Sequence, residues 1–154
     1  MVADEQTPPP LDAQLCFALH DAARAMVGCY RPLLDEAGLT YTQYLVMLVL
    51  WESDEPVAVG TLCERLHMDS GTLSPLLKRL AARGLVTRSR SPHDERSVEI
   101  ACTPAGHALR GPAARANAGF FAATGMTLEE ATALRDQVVA LTSRLRGNGH
   151  AQAG

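Results

Sequence analysis

The 154-residue chain has no long apolar run, no closely paired cysteines and few aromatic residues. Without a stretch of about 20 apolar residues, no segment is expected to cross a membrane as a helix. None of the four cysteines stands in a CxxC pair, which excludes a zinc ribbon and a thioredoxin-type site. Because the first ten residues hold no basic segment followed by an apolar one, we expect no secretory signal and a cytoplasmic protein. In that reducing compartment the cysteines are expected to be thiols.

The composition predicts one domain, in which basic and acidic residues are unevenly distributed along the chain. A chain of this length that is 47% apolar can bury a real core without a metal or disulfide. The net charge is −3, but residues 76–96 hold six basic and two acidic residues, a net charge of +4. The other eight basic and fifteen acidic residues give −7. A basic stretch in an acidic protein is typical of a polyanion-binding surface, although a solvated charged surface has the same composition.

Apolar residues at every third or fourth position predict helices over most of the chain. The first four predicted helices span residues 12–34, 40–52, 60–66 and 70–83. Pro32 bends or ends the first, and Thr40 with Gln43 forms a capping box at the start of the second. The second helix is apolar on nearly every face, so we expect it to be the most buried element. A tight turn at 67–69 precedes the fourth helix, which Gly84 ends.

After Gly84 the spacing of the apolar residues changes from about 3.6, typical of a helix, to 2, typical of a strand. Residues 85–90 and 97–102 predict two antiparallel strands joined by a charged tip. Thr103 and Pro104 begin another helix, and the last helix begins with a capping box at residues 127–130. It carries an apolar seam that suits packing on another helix, formed by Leu134, Val138, Leu141 and Leu145.

This order predicts a mostly α fold with a small β-wing, α-α-α-α-β-β-α-α. The predicted divisions are disordered tails at 1–10 and 147–154, one domain at 11–146, a winged helix-turn-helix at about 40–103, and dimerisation helices at 11–36 and 104–146. In such a module the second short helix enters the DNA major groove.

The basic surface fits that module. The predicted DNA-binding residues are Ser70, Thr72, Ser74, Lys78, Arg79, Arg88, Arg90, Asp94 and Arg96. The three hydroxyls in the first turn of the recognition helix can approach bases or phosphates, unless they only cap the helix. Arg96 at the wing tip has the length to enter the minor groove. We expect Asp94 to pair with an arginine and so fix the tip; the alternative is an aspartate that simply forms the turn.

Several segments carry a family resemblance. They are LCFAL at 15–19, YRPLL at 30–34, GLTYTQYLVMLVLWE at 38–52, LHMDSGTLSPLLKRL at 66–80, the DxR tip at 94–96 and TPAG at 103–106. The chain resembles the MarR family of dimeric winged-helix regulators, and specifically the organic hydroperoxide resistance regulators, OhrR. The resemblance implies an intertwined homodimer that represses from a palindromic DNA operator, responds to an organic hydroperoxide, and has neither cofactor nor enzymatic activity.

The same resemblance assigns a role to Cys16. By position alone, Cys16 would be a small apolar residue on a helix. The resemblance makes it the peroxide sensor, held by hydrogen bonds from Tyr30 and Tyr41, which favour the reactive thiolate. Cys16 and Tyr30 lie 14 residues apart, about 21 Å along one helix. If they act together, the tyrosines come from the partner subunit.

The remaining cysteines leave alternatives open. No cysteine follows Cys102, so the chain resembles the one-cysteine type, whose sulfenic acid is captured by a low-molecular-weight thiol or oxidised further. Cys29 could instead be an unusual resolving partner. Cys63 and His67 could form half a metal site, although packing is the simpler explanation of that pair.

Two other functions remain to be weighed. One is a MarR-type repressor gated by a small aromatic ligand, with Cys16 inert. The other is a thiol peroxidase, which is disfavoured because no threonine or arginine is evidently placed to activate the thiol, and because the basic wing would then be unexplained.

Overall fold

The computed structural model describes the backbone of residues 7–151 and the side chains of residues 7–148. Its elements are a 3₁₀ turn (Leu11–Ala13), α1 (Leu15–Leu33), α2 (Tyr41–Leu50), β1 (Val57–Ala58), α3 (Val59–Leu66), α4 (Ser70–Ala82), β2 (Val86–Arg90), β3 (Val98–Cys102), α5 (Pro104–Ala108), α6 (Arg110–Thr124) and α7 (Leu128–Ala151). The described residues divide into two compact units, one that ends at Phe120 and one that begins at Phe121.

The predicted start of α2 is confirmed. The Thr40 hydroxyl accepts a hydrogen bond from the Gln43 backbone N–H at 3.3 Å, and the Gln43 side chain accepts one from the Thr40 N–H at 3.1 Å. Most of the helix is buried, as its apolar composition predicts. The side chains that are most completely enclosed in the first unit are Leu34, Val46, Met47, Leu50, Leu62, Leu73, Leu77, Leu80 and Ile100. They come from α2, α3, α4 and their neighbours, so the core lies directly behind the predicted recognition helix.

The sheet has three strands instead of the predicted two. Its order is β1-β3-β2, and both neighbouring pairs are antiparallel. The additional strand β1 consists of two residues, with Val57 opposite Ile100. Two residues are too few to show a period-2 pattern, which is why the sequence analysis missed this strand.

The junction between α4 and the wing is tightly built. Gly84 adopts the left-handed conformation, φ 72°, that its position after the helix predicts. The Thr103 hydroxyl donates to the Gly84 carbonyl at 2.6 Å, and the Thr103 N–H donates to the Leu85 carbonyl at 3.1 Å. A Cβ atom on Gly106 would lie 2.2 Å from that same Leu85 oxygen. The TPAG segment therefore binds and packs closely against the residues that follow α4, the predicted recognition helix.

Three predicted boundaries were wrong. The first helix is preceded by a separate 3₁₀ turn, because Gln14 is extended. The predicted helix after the wing is split into α5 and α6, and Pro112, which lacks an N–H, cannot bond back across the break. The last helix continues to Ala151, so residues 147–151 are not an irregular tail.

The second unit contains the end of α6 and all of α7. The predicted capping box is present: the Thr127 hydroxyl accepts from the Glu130 N–H at 3.2 Å, and the Glu130 carboxylate accepts from the Thr127 N–H at 2.8 Å. Several apolar side chains of α7 are exposed, among them Leu128, Leu134, Val138, Val139 and Leu145. Over the part of the chain that is described, no helix is long and apolar enough to cross a membrane.

Candidate DNA interface and thiol site

The start of α4 and the wing enclose a groove of about 530 Å³. Five of the predicted DNA-binding residues line it, namely Ser70, Ser74, Arg88, Asp94 and Arg96. The sequence separates these residues by up to 26 positions, and the hairpin of β2 and β3 folds them onto one surface. The groove therefore combines a helix N-terminus with two arginines, a suitable arrangement for a phosphate backbone.

The other four predicted residues lie outside the lining of the groove. Thr72, Lys78 and Arg79 are exposed on α4. Arg90 turns into the wing, where its guanidinium donates to the Glu95 carbonyl at 3.3 Å. Arg90 is thus bonded to the tip that carries Arg96.

Asp94 forms the turn of the wing tip. Its carboxylate accepts from the Arg96 backbone N–H at 3.0 Å, and its carbonyl accepts from the Ser97 N–H at 3.0 Å. Among the described residues no ion pair joins Asp94 to an arginine. The favoured prediction, an arginine pairing, was wrong, because the short Asp94 side chain is satisfied by the backbone two residues ahead. The guanidinium of Arg96 is consequently not neutralised by Asp94.

Asp69 is a structural residue of the interface that the sequence analysis did not single out. It is the N-cap of α4, and its carboxylate accepts from the Thr72 N–H at 2.7 Å. This bond holds the pKa of Asp69 below its usual value. An aspartate directly before a predicted helix start was the signal that could have found it.

The two predicted sensor tyrosines lie together in an aromatic cluster. The ring centroids of Tyr30 and Tyr41 are 5.3 Å apart, and Tyr30 also contacts Tyr44 at 5.4 Å and Phe120 at 4.7 Å. Burial raises the pKa of both Tyr30 and Tyr41, so both phenols keep their protons at neutral pH. Tyr44 belongs to the same cluster.

Cys16 lies apart from this cluster within one chain. Its thiol is exposed near the beginning of α1, 3.7 Å from the Gln14 side-chain oxygen. The Tyr30 hydroxyl instead donates to Asn117 at 3.1 Å, and the Tyr41 hydroxyl is 3.8 Å from the Met26 sulfur. The structure brings Tyr30 and Tyr41 together but does not bring Cys16 to them, as the length of α1 requires.

All four cysteines are free thiols. Cys29, Cys63 and Cys102 are partly covered, whereas Cys16 is exposed. Burial raises the pKa of Cys102, which disfavours its thiolate. Within the described residues, no group of three or more potential ligands gathers around Cys63 and His67. Accessibility therefore singles out Cys16 among the thiols.

Comparisons with known proteins place the chain in a family. The family model for the transcriptional regulators SarA/Rot matches residues 29–109. The chain is 50% identical over 100 residues to the organic hydroperoxide resistance transcriptional regulator of Bacillus subtilis strain 168, covering 65% of this chain and 67% of that protein. It belongs to the OhrR group of MarR-family winged-helix transcriptional regulators. This confirms the family, the winged-helix fold and the general function that the sequence segments predict.

Two further comparisons extend the similarity of this OhrR-type chain. It is 48% identical over 147 residues to the HTH-type transcriptional regulator TtmR of Methylorubrum extorquens strain PA1, covering 96% of this chain and 73% of TtmR. Its fold matches reduced AbfR bound to DNA with a TM-score of 0.72 and 30% identity, covering 88% of this chain and 94% of that one. Overoxidised AbfR bound to DNA matches with a TM-score of 0.68 and 32% identity, covering 88% and 93%.

Proposed function

We propose that this OhrR-type regulator is a redox-sensing repressor. It binds a palindromic operator as a dimer while Cys16 is reduced, and it releases the operator when an organic hydroperoxide oxidises Cys16. The observation that carries the proposal is the position of Cys16, an exposed thiol on a helix that also holds Tyr30 of the aromatic cluster. The similarity to the Bacillus subtilis regulator and to AbfR supports it.

The groove between α4 and the wing would be the DNA-binding surface. Exposed Lys78 and Arg79 and the arginines of the wing supply positive charge for phosphates, while Ser70 and Ser74 approach base edges or phosphates. Arg96 would enter the minor groove, because its guanidinium is not paired with Asp94 and projects from a turn fixed by hydrogen bonds. A DNA-binding regulator must reach the chromosomal DNA, so we place the protein in the cytoplasm.

The thiol site would be completed by a second copy of the chain. Leu15 and Phe17, the sequence neighbours of Cys16, are 63% and 36% exposed, and Leu11 in the preceding 3₁₀ turn is 60% exposed, although all three are apolar. Covering them and the exposed apolar side chains of α7 would stabilise a dimer. In that dimer, Cys16 of one subunit would contact Tyr30 and Tyr41 of the other. The separation of about 21 Å between Cys16 and Tyr30 along one α1 helix would then not prevent the contact.

The sensing chemistry follows from a thiolate in an apolar site. The Cys16 sulfur attacks the terminal oxygen of the hydroperoxide, and the O–O bond breaks. The sulfur becomes a sulfenic acid, and the leaving alkoxide takes a proton to become an alcohol. A low-molecular-weight thiol then attacks the sulfenic sulfur, which forms a mixed disulfide and releases water. The apolar neighbours Leu15, Phe17 and Leu19 should favour bulky organic hydroperoxides over hydrogen peroxide.

The test compares operator binding by the wild type, Cys16→Ser and the matched control Cys63→Ser during titration with cumene hydroperoxide. We expect the wild type and Cys63→Ser to release the operator, and Cys16→Ser to bind it normally and remain bound. Serine is close in size to cysteine but cannot form a sulfenic acid. A Cys29→Ser variant tests whether a disulfide to Cys29 replaces the external thiol.

If Cys16→Ser dissociates like the wild type, Cys16 is not the sensor. Release by a small aromatic acid in the absence of peroxide would then establish the ligand-gated alternative. Turnover of peroxide with an added reductant would identify a peroxidase.

A further inference from the structure

The two tyrosines of the proposed sensor differ in how firmly their protons are held. The Tyr41 hydroxyl points to the Met26 thioether at 3.8 Å, and a thioether is a weak acceptor. The Tyr30 hydroxyl donates to the side-chain oxygen of Asn117 at 3.1 Å, which is an ordinary hydrogen bond. Tyr41 can therefore redirect its proton at little cost, whereas Tyr30 must first leave a partner.

A phenol has one proton to donate, so a bond to Asn117 excludes a bond to a thiolate. We propose that Asn117 is a positioning residue of the sensor, which competes with Cys16 of the partner subunit for the Tyr30 proton and so limits how fast Cys16 is oxidised. This inference rests on the proposed function. It adds a residue on α6 for which neither the sequence motifs nor the predicted sensor site gave any signal.

The geometry makes this competition reversible. Tyr30 is only 5% exposed, whereas Asn117 is an exposed residue, so the amide covers the hydroxyl from the outer side. Phe120, one helical turn after Asn117, stacks on the Tyr30 ring at 4.7 Å and fixes the ring while the hydroxyl changes partner. A bond to a thiolate is charge-assisted and stronger than a neutral bond, so an arriving thiolate can displace the amide.

The test measures the rate of sulfenic acid formation with cumene hydroperoxide and the pH at which this rate is half-maximal. Asn117→Ala removes the competing acceptor, so we expect oxidation to be about three- to tenfold faster, the size of one neutral hydrogen bond. The half-maximal pH should fall, because the freed Tyr30 proton stabilises the thiolate. Asn117→Asp offers a carboxylate, which binds the phenol proton more strongly, so the rate should fall and the half-maximal pH should rise.

Opposite effects from two substitutions at one position distinguish competition from damage, since damage to α6 would change the rate in one direction. In a Tyr30→Phe background, both substitutions at Asn117 should lose their effect. Asn148→Ala, the same change at an exposed position of α7, serves as the control and should match the wild type.

Each remaining outcome overturns the inference. It fails if Asn117→Ala oxidises at the wild-type rate or more slowly while Tyr30→Phe slows oxidation. It also fails if the effects of Asn117 survive in the Tyr30→Phe background. If Tyr30→Phe itself changes nothing, the predicted role of Tyr30 fails as well, whereas the proposed function is judged separately by Cys16→Ser.

Discussion

Replacing Gly106 with alanine should destabilise the winged-helix unit through a clash with the backbone. The added Cβ would lie 2.2 Å from the Leu85 carbonyl oxygen and 2.7 Å from the Cys102 sulfur. The sulfur can rotate away, but the Leu85 oxygen is held by the Thr103 N–H at 3.1 Å and belongs to the backbone. α5 must therefore move by roughly 1 Å relative to the end of α4 to restore an ordinary contact.

The magnitude is the difference between two effects. Overpacking of this kind costs about 1–3 kcal/mol. Alanine gains up to about 1 kcal/mol over glycine in a helix, which offsets part of that cost. We expect a net loss of about 1–2 kcal/mol, which for a chain of this size lowers Tm by roughly 2–8 °C. Operator affinity should also fall, because the TPAG segment is hydrogen-bonded to Gly84 and Leu85, which connect α4 to the wing.

The assay is thermal unfolding followed by circular dichroism at one fixed protomer concentration, since the stability of a dimer depends on concentration. Gly60→Ala is the matched control, because a Cβ there meets no atom within 4 Å and should leave Tm unchanged or raise it. If the Tm of Gly106→Ala equals that of Gly60→Ala and is not below the wild-type Tm, the close packing around Gly106 does not limit the side chain there. That result would contradict the expected clash.

Two further predictions concern the DNA interface and the aromatic cluster. Arg96→Ala should weaken operator binding by about 1–3 kcal/mol. Lys78→Ala should reduce the slope of log binding constant against log salt concentration by about 1, with little loss of sequence preference. Fluorescence anisotropy at several salt concentrations checks both. Burial raises the pKa of Tyr30 and Tyr41 in the folded chain, so their contribution to stability is complete below the unfolded value of about 10 and is lost as pH rises above it. Denaturant midpoints at pH 8 and pH 11 should therefore differ, and Tyr30→Phe should reduce that difference; an equal difference in the variant would contradict the burial of this phenol.

Local signals in the sequence predicted the elements that position the DNA interface. The capping residue Thr40 and the glycine at position 84 act within one helical turn, so their geometry follows from their immediate neighbours. Both predicted strands of the wing are present, as β2 (Val86–Arg90) and β3 (Val98–Cys102), and they pair over a short hairpin. These features do not depend on distant contacts, which is why the sequence alone predicts them.

Asp69 was missed although its signal is local, whereas the other features discussed here depend on distant contacts or on competing partners. β1 exists because two residues reach β3, 43 positions away at Val57 and Ile100. The Tyr30–Asn117 bond joins residues separated by 87 positions, and nothing in the sequence around Asn117 marks it as a partner. Asp94 had two plausible partners, an arginine and the nearby backbone, and local turn geometry decided between them.

A physical link from the tyrosine cluster to the candidate DNA interface is also present within one chain. Tyr30 lies in the last turn of α1, and the loop that follows contains Gly38 in a left-handed conformation, φ 64°. The Gly38 carbonyl accepts a hydrogen bond from Arg83, the residue that ends the recognition helix, at 2.5 Å. Under the proposed function, any shift of α1 that follows oxidation of Cys16 would reach α4 through this bond and through the core that α1, α2 and α4 share. Because closely packed elements move as units and not by gradual deformation, a change at the thiol can displace the recognition helix without a direct contact between them.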